Sequence, residues 1–97
     1  MFIHMFAFRW KPRVTEEQKQ RAIAEIRKLQ GQIPGLQETL VGVNTSPRGQ
    51  GYELGGVMKF TDEAALHAYG PHPVHQTLLT WLVPLIDPIE VDFEAGV

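Results

Sequence analysis

The chain contains no cysteine, which excludes a disulfide framework, a thiolate zinc site and a thiol nucleophile in one step. It also lacks a strong charge of either sign. A formal net charge of -2 with no stripe of lysine and arginine leaves no electrostatic footprint for a nucleic-acid phosphate backbone. Long apolar runs are missing as well: no segment approaches the ~18 residues that a membrane span needs. The opening MFIHMFAFRW is apolar, but no basic segment precedes it and no small-residue cleavage site follows, so it does not read as a signal peptide. The expectation is a soluble, cytoplasmic protein that contacts neither nucleic acid nor membrane.

What remains is 97 residues, 43% of them hydrophobic, enough for one domain with a modest core. A chain this short buries a smaller share of its surface than a large one, so association is a natural supplement.

Residues Phe2 to Arg9 alternate Phe2, His4, Phe6 and Phe8 with Ile3, Met5, Ala7 and Arg9, the period of a strand. Thr15, with Gln18 three residues on, has the spacing of a capping box. The helix it opens carries Ala22, Ile23, Ile26 and Leu29 on one stripe and stops before Pro34-Gly35. A second strand is expected over Gln37 to Asn44 and a third over Tyr52 to Phe60. In the third, Gly55-Gly56 suggests a bulge or a close backbone approach. Thr61 or Asp62 is placed to cap a short helix holding Ala65, Leu66 and Tyr69. A longer helix starting at Val74 is expected to close at Pro84 and Pro88, and Ile89 to Glu94 alternate as a last strand.

The order βαββαβ predicts a ferredoxin-like α+β fold: an antiparallel sheet with helices on one face. The other face then poses a problem. Strand one is apolar on both sides, and strand two sets Val41 and Val43 opposite Leu36, Leu40 and Gly42. A bare apolar face beyond ~300–600 Å2 exceeds what monomers ordinarily tolerate, so a second copy of the chain is the simplest cover.

Between the last two helices AYGPHPVHQ crowds Tyr69, His72 and His75 into one corner stiffened by Gly70, Pro71 and Pro73. Imidazole titrates near pH 6.5 and can take a proton from carbon flanked by carbonyls, which makes His75 a candidate general base. Tyr69 would position a substrate or donate to the oxyanion that forms. The plainer reading stands beside it: Tyr69 packs on the helix joint and His75 bonds a nearby carbonyl. His72, next to Pro73, reads as tying the corner to a backbone carbonyl. His72 and His75 with His4 and Asp92 supply metal-ligand types, but nothing requires them to converge, and no metal or cofactor is expected. Phe6, Phe8, Met58, Leu78, Leu79 and Trp81 are candidates to line a pocket for an apolar, aromatic or polyketide-like ligand, or to be filled core.

His4 within HMFAF, IPGL after the first helix, GVNTS, GYELGGVMKF, the Tyr-x-x-His-Pro-x-His corner AYGPHPVH, and VDF near the end together resemble the stress-responsive A/B barrel (Dabb) family, the dimeric α+β barrels, over essentially the whole chain. That resemblance implies a homodimer with its sheets face to face, helices outside, and a pocket between helices and sheet in each protomer. Its members include stress-associated proteins without a clear activity and a plant polyketide cyclase that closes a ring by an aldol-type step without metal or organic cofactor. The matching positions imply His75 and Tyr69 as catalytic residues, His4 as a supporting histidine and Asp92 as the last-strand carboxylate. The pocket is expected to draw also on Phe6, Phe8, Ile23, Ile26, Met58, His72, Leu79 and Trp81. The cyclase lines its pocket with bulky aromatics on the first helix, whereas this chain presents Ala22, Ile23 and Ile26, so the substrate does not carry over.

Overall fold

Thr15 Oγ1 accepts a hydrogen bond from the Gln18 amide, and the Gln18 side-chain oxygen accepts one from the Thr15 amide. This capping box starts helix α1 (Glu16–Arg27) after strand β1 (Phe2–Trp10). The computed structural model describes residues 1–96 and continues with β2 (Leu36–Val43), β3 (Leu54–Phe60), α2 (Glu63–Tyr69), α3 (Pro73–Leu82), a single 3-10 turn over Val83–Leu85, and β4 (Ile86–Glu94). Asp62 caps α2 through the Ala65 amide. His72 caps α3 by accepting from the Val74 amide at 3.1 Å, with Pro73 in the first turn, where its missing N–H costs nothing.

The strands form one antiparallel sheet in the order β2-β3-β1-β4, the ferredoxin-like arrangement, with the helices on one face. Phe2, His4, Phe6 and Phe8 of β1 point toward the helices, level with Phe60, Met58, Gly56 and Leu54 of β3. They form the core with Ala22, Ile23, Ile26 and Leu29 of α1, Leu66 and Tyr69 of α2, and Leu78 and Leu82 of α3. Among the described residues no helix is long and apolar enough to cross a membrane.

Gly56 resolves the expectation attached to the glycine pair. The β1–β3 register is unbroken there, so there is no bulge, and Gly56 alone of the pair marks a close approach, since a side chain on Gly55 would meet nothing. A Cβ on Gly56 would stand 2.1 Å from the Phe6 ring, which lies flat over the bare backbone.

The bulge lies instead in β2, between Leu36 and Glu38. It reverses the alternation of that strand. Leu36, Thr39, Val41 and Val43 therefore share the helix side, opposite Phe60, Met58, Gly56 and Leu54. Val41 and Val43 do lie opposite Leu40 and Gly42 as expected, but Leu36 joins the valines, and its grouping with Leu40 and Gly42 is corrected accordingly. The uncovered face presents Met5, Leu40 (50% exposed), Ile89, Val91 (51%) and Phe93 (42%), aligned by the pairs Met5–Val91, Ile3–Phe93 and Leu40–Val57.

The last strand begins earlier than the alternation from Ile89 suggests. α3 ends at Leu82, Pro84 sits in the 3-10 turn, and Pro88 lies within β4 opposite Phe8. β4 is a sheet edge, where a proline lacking its N–H is tolerated.

Candidate active site

The corner between α2 and α3 is tied together by its own backbone. The Gly70 carbonyl accepts from His75 Nδ1 at 2.9 Å and from the Gln76 amide side chain at 2.7 Å, and the His72 amide donates to Tyr69 O at 3.1 Å. Because a carbonyl only accepts, the His75 proton sits on Nδ1. In the neutral ring, Nε2 is then the atom with a free lone pair. The plainer expectation for His75, a bond to a nearby carbonyl, is thus met by one nitrogen while the ring still lines a cavity.

That cavity lies between the sheet and the α2–α3 corner, with a volume of about 150 Å3, comparable to an apolar cavity of ~150 Å3 that accepts one benzene ring. His4, Phe6, Phe8 and Met58 form its floor, and Ile26, Leu78, Leu82 and Ile86 its deeper wall. Tyr69, His75, Leu79, Val83, Pro88 and Glu90 complete the lining.

The polar groups are ordered. The His75 and Tyr69 rings lie against each other, tilted by 35° with centroids 4.1 Å apart, and Tyr69 meets His4 edge-on at 6.4 Å. On the floor His4 Nδ1 is 2.5 Å from Asp92 Oδ1. The carboxylate accepts, so the His4 proton on that side is fixed and Nε2 is the other ring nitrogen available. Burial, and after it the nearby Glu90 carboxylate, push the Tyr69 hydroxyl well above the usual phenol range. Tyr69 is accordingly a protonated donor at any ordinary pH. An imidazole and a protonated phenol thus stand side by side at an apolar cavity.

Of the residues expected at a pocket, His4, Phe6, Phe8, Ile26, Met58, Tyr69, His75, Leu78 and Leu79 meet around this cavity, and Ile23, His72, Trp81 and Asp92 do not. Trp81 stacks under the Arg21 guanidinium at 4.0 Å, in a groove between α1 and α3. With ~100° of rotation per helical residue, His75, Leu79 and Leu82 fall on one shoulder of Leu78 and Trp81 on the other. Ile23 lies a turn before Ile26, toward Trp10 and Leu54. The His72 ring is committed to capping α3, where it accepts from the Val74 amide instead of reaching the backbone carbonyl expected of it. Asp92 reaches the cavity only through His4.

Leu82, Val83, Ile86, Pro88 and Glu90 are lining residues that the sequence did not single out. The signal was there for Ile86, Pro88 and Glu90, which share one face of a strand; reading Pro88 as a helix stop concealed it. Among the described residues no cluster of three or more His, Asp or Glu is placed to hold a metal ion.

Residues 2–95 match the family described as Stress responsive A/B Barrel Domain. The chain belongs to the stress responsive A/B barrel family. Solved structures of the same fold include a dimeric ferredoxin-like protein of unknown function from Thermobifida fusca, 29% identical, covering 95% of this chain and 88% of that one with a TM-score of 0.83. A second dimeric ferredoxin-like protein of unknown function, from Jannaschia sp., is 29% identical, covering 97% of this chain and 98% of the other at a TM-score of 0.82. A hydroxynitrile lyase from Passiflora edulis shares the fold at 18% identity and a TM-score of 0.81, covering 99% of this chain and 95% of its own. No curated protein matches the chain in sequence.

Proposed function

We propose that this A/B barrel protein is a homodimer whose cavity binds a small, ring-sized apolar ligand and performs cofactor-independent carbon-acid chemistry on it, in the cytoplasm. The observation that carries the reading is the pairing of a His75 ring, its Nδ1 proton held by Gly70, with the protonated Tyr69 hydroxyl at one apolar cavity.

In this mechanism His75 Nε2 removes a proton from a carbon next to a carbonyl, the carbonyl oxygen gathers the negative charge as an enolate, and Tyr69 donates a hydrogen bond to that oxygen. The enolate carbon then attacks a second carbonyl in an aldol-type closure, and the proton held on His75 returns to the new alkoxide. A positioned base of this kind contributes typically ~10²–10⁴-fold. His4, braced by Asp92, supports the floor beneath the reacting atoms. The hydroxynitrile lyase among the similar structures supports the reading to the extent that this scaffold carries a lyase elsewhere. The homodimer is supported by the exposed apolar sheet face and by the dimeric relatives.

The test needs no knowledge of the natural substrate. Phenylacetone, one ring bearing an acidic methylene, is incubated with the chelator-treated protein in D2O, and loss of the methylene proton signal is followed by NMR. The reading expects exchange faster than in matched buffer and unchanged by the chelator. Exchange no faster than buffer, or abolished by the chelator, overturns it.

A further inference from the structure

Glu90 is the cavity residue that neither the corner motif nor the His4–Asp92 pair explains. It lies on β4 opposite Phe6 and between Pro88 and Asp92 on the helix-facing side of the strand. It is exposed and lines the cavity, which places it at the mouth. Its charge is felt at the Tyr69 hydroxyl.

The charge balance around the opening is one-sided. α1 contributes Ile26, the α2–α3 corner contributes Tyr69 and His75, and among the described residues no lysine or arginine lines the cavity. The His4–Asp92 pair carries a net charge of zero or below however His4 is protonated. Glu90 is therefore a carboxylate that no lining cation offsets, beside apolar walls that focus its field.

Resting on the carbon-acid reading above, we infer that Glu90 selects ligands by charge: the cavity takes neutral or cationic ring compounds whose polar end is an alcohol, phenol or amine facing the mouth, and rejects compounds bearing a carboxylate there. A hydroxyl or ammonium group at the mouth donates to Glu90, whereas a carboxylate meets a like charge. Such compounds lack the free acid group that would remain at the end of an unmodified polyketide-like chain.

The experiment uses benzylamine, benzyl alcohol and benzoate, three probes of one ring each that differ in charge. Affinities are measured by 1H–15N NMR titration of the wild-type protein and Glu90→Gln, following the amides of residues 69–79, at low salt and again with added sodium chloride. Coulomb interactions across a few ångströms of partly wet surface predict that benzylamine binds about tenfold tighter than benzoate in the wild type. The gap shrinks with salt, and Glu90→Gln brings the ratio close to one without weakening benzyl alcohol by more than about threefold. Equal wild-type affinity for amine and benzoate, or a ratio unchanged in Glu90→Gln, overturns the role of Glu90 and leaves the carbon-acid reading standing. Failure of all three probes to shift the cavity amides at tens of millimolar overturns both.

Discussion

The imidazole of His75 lies 4.1 Å, centroid to centroid, from the ring of Tyr69, and its Nδ1 is bonded to the carbonyl of Gly70, the residue that follows that tyrosine. The two side chains proposed to act together are held by one helix joint, so their relative placement needs no ordering when a ligand arrives.

Replacing Tyr69 by Phe keeps the ring between Phe60 and His75 and removes only the hydroxyl. Melting temperature at neutral pH is expected to change by a few degrees at most, while phenylacetone exchange slows about 10- to 100-fold as the enolate loses its donor. Wild-type exchange in this variant removes Tyr69 from the mechanism.

The same hydroxyl has a signature in alkaline stability. Its folded pKa is raised above the unfolded value near 10. The stabilisation associated with the protonated form is therefore complete below about pH 10 and declines above it, as the unfolded chain loses a proton that the folded one keeps. The slope for one such proton is about 1.4 kcal/mol per pH unit. Urea melts from pH 9 to 11.5 should show this decline in wild type and a shallower one in Tyr69→Phe. Parallel curves would place Tyr69 in a wetter setting than described.

The uncovered face predicts association. Light scattering over a dilution series should report twice the chain mass of 11.0 kDa. Val91→Lys, on the uncovered face beside Met5, should shift the protein toward monomer by placing a charge where apolar surface is to be covered. A wild-type monomer at micromolar concentration contradicts the dimer.

Much of this architecture was legible from period alone. The alternation of Phe2 to Arg9, the Thr15–Gln18 box and the Ala22–Ile26 stripe each appear where their patterns put them. The sidedness of β2 was not, because one extra residue near Gln37 inverts every later side chain, and the preceding Pro34-Gly35 reads equally as an ordinary turn into the strand. Pro88 misled for a related reason: its chemistry forbids a central strand and a helix interior alike, and only the pairing order reveals that β4 is an edge. At the site, local sequence held the Tyr69–His75 corner, but Glu90 and Ile86 enter the cavity through long-range pairing with β1.

The Phe6–Gly56 approach gives a packing test at the cavity floor. Gly56→Ala forces the Phe6 ring off the sheet and into its neighbours, since the added carbon has no room at 2.1 Å. A loss of about 1–3 kcal/mol is expected in urea melts, with part of it recovered in the Phe6→Leu double variant. A neutral Gly56→Ala would mean that the ring does not rest on that backbone.

The central claim is that His75 is a cavity base and more than a clamp on its own helix joint, and the paired behaviour of His75→Ala tests it most directly. Thermal melts and phenylacetone exchange are measured on the same preparation. Loss of one solvent-adjacent hydrogen bond should cost about 1 kcal/mol and leave the dimer folded, while exchange drops to the buffer rate. A His75→Ala protein that is strongly destabilised yet still exchanges at the wild-type rate per folded molecule would contradict the account.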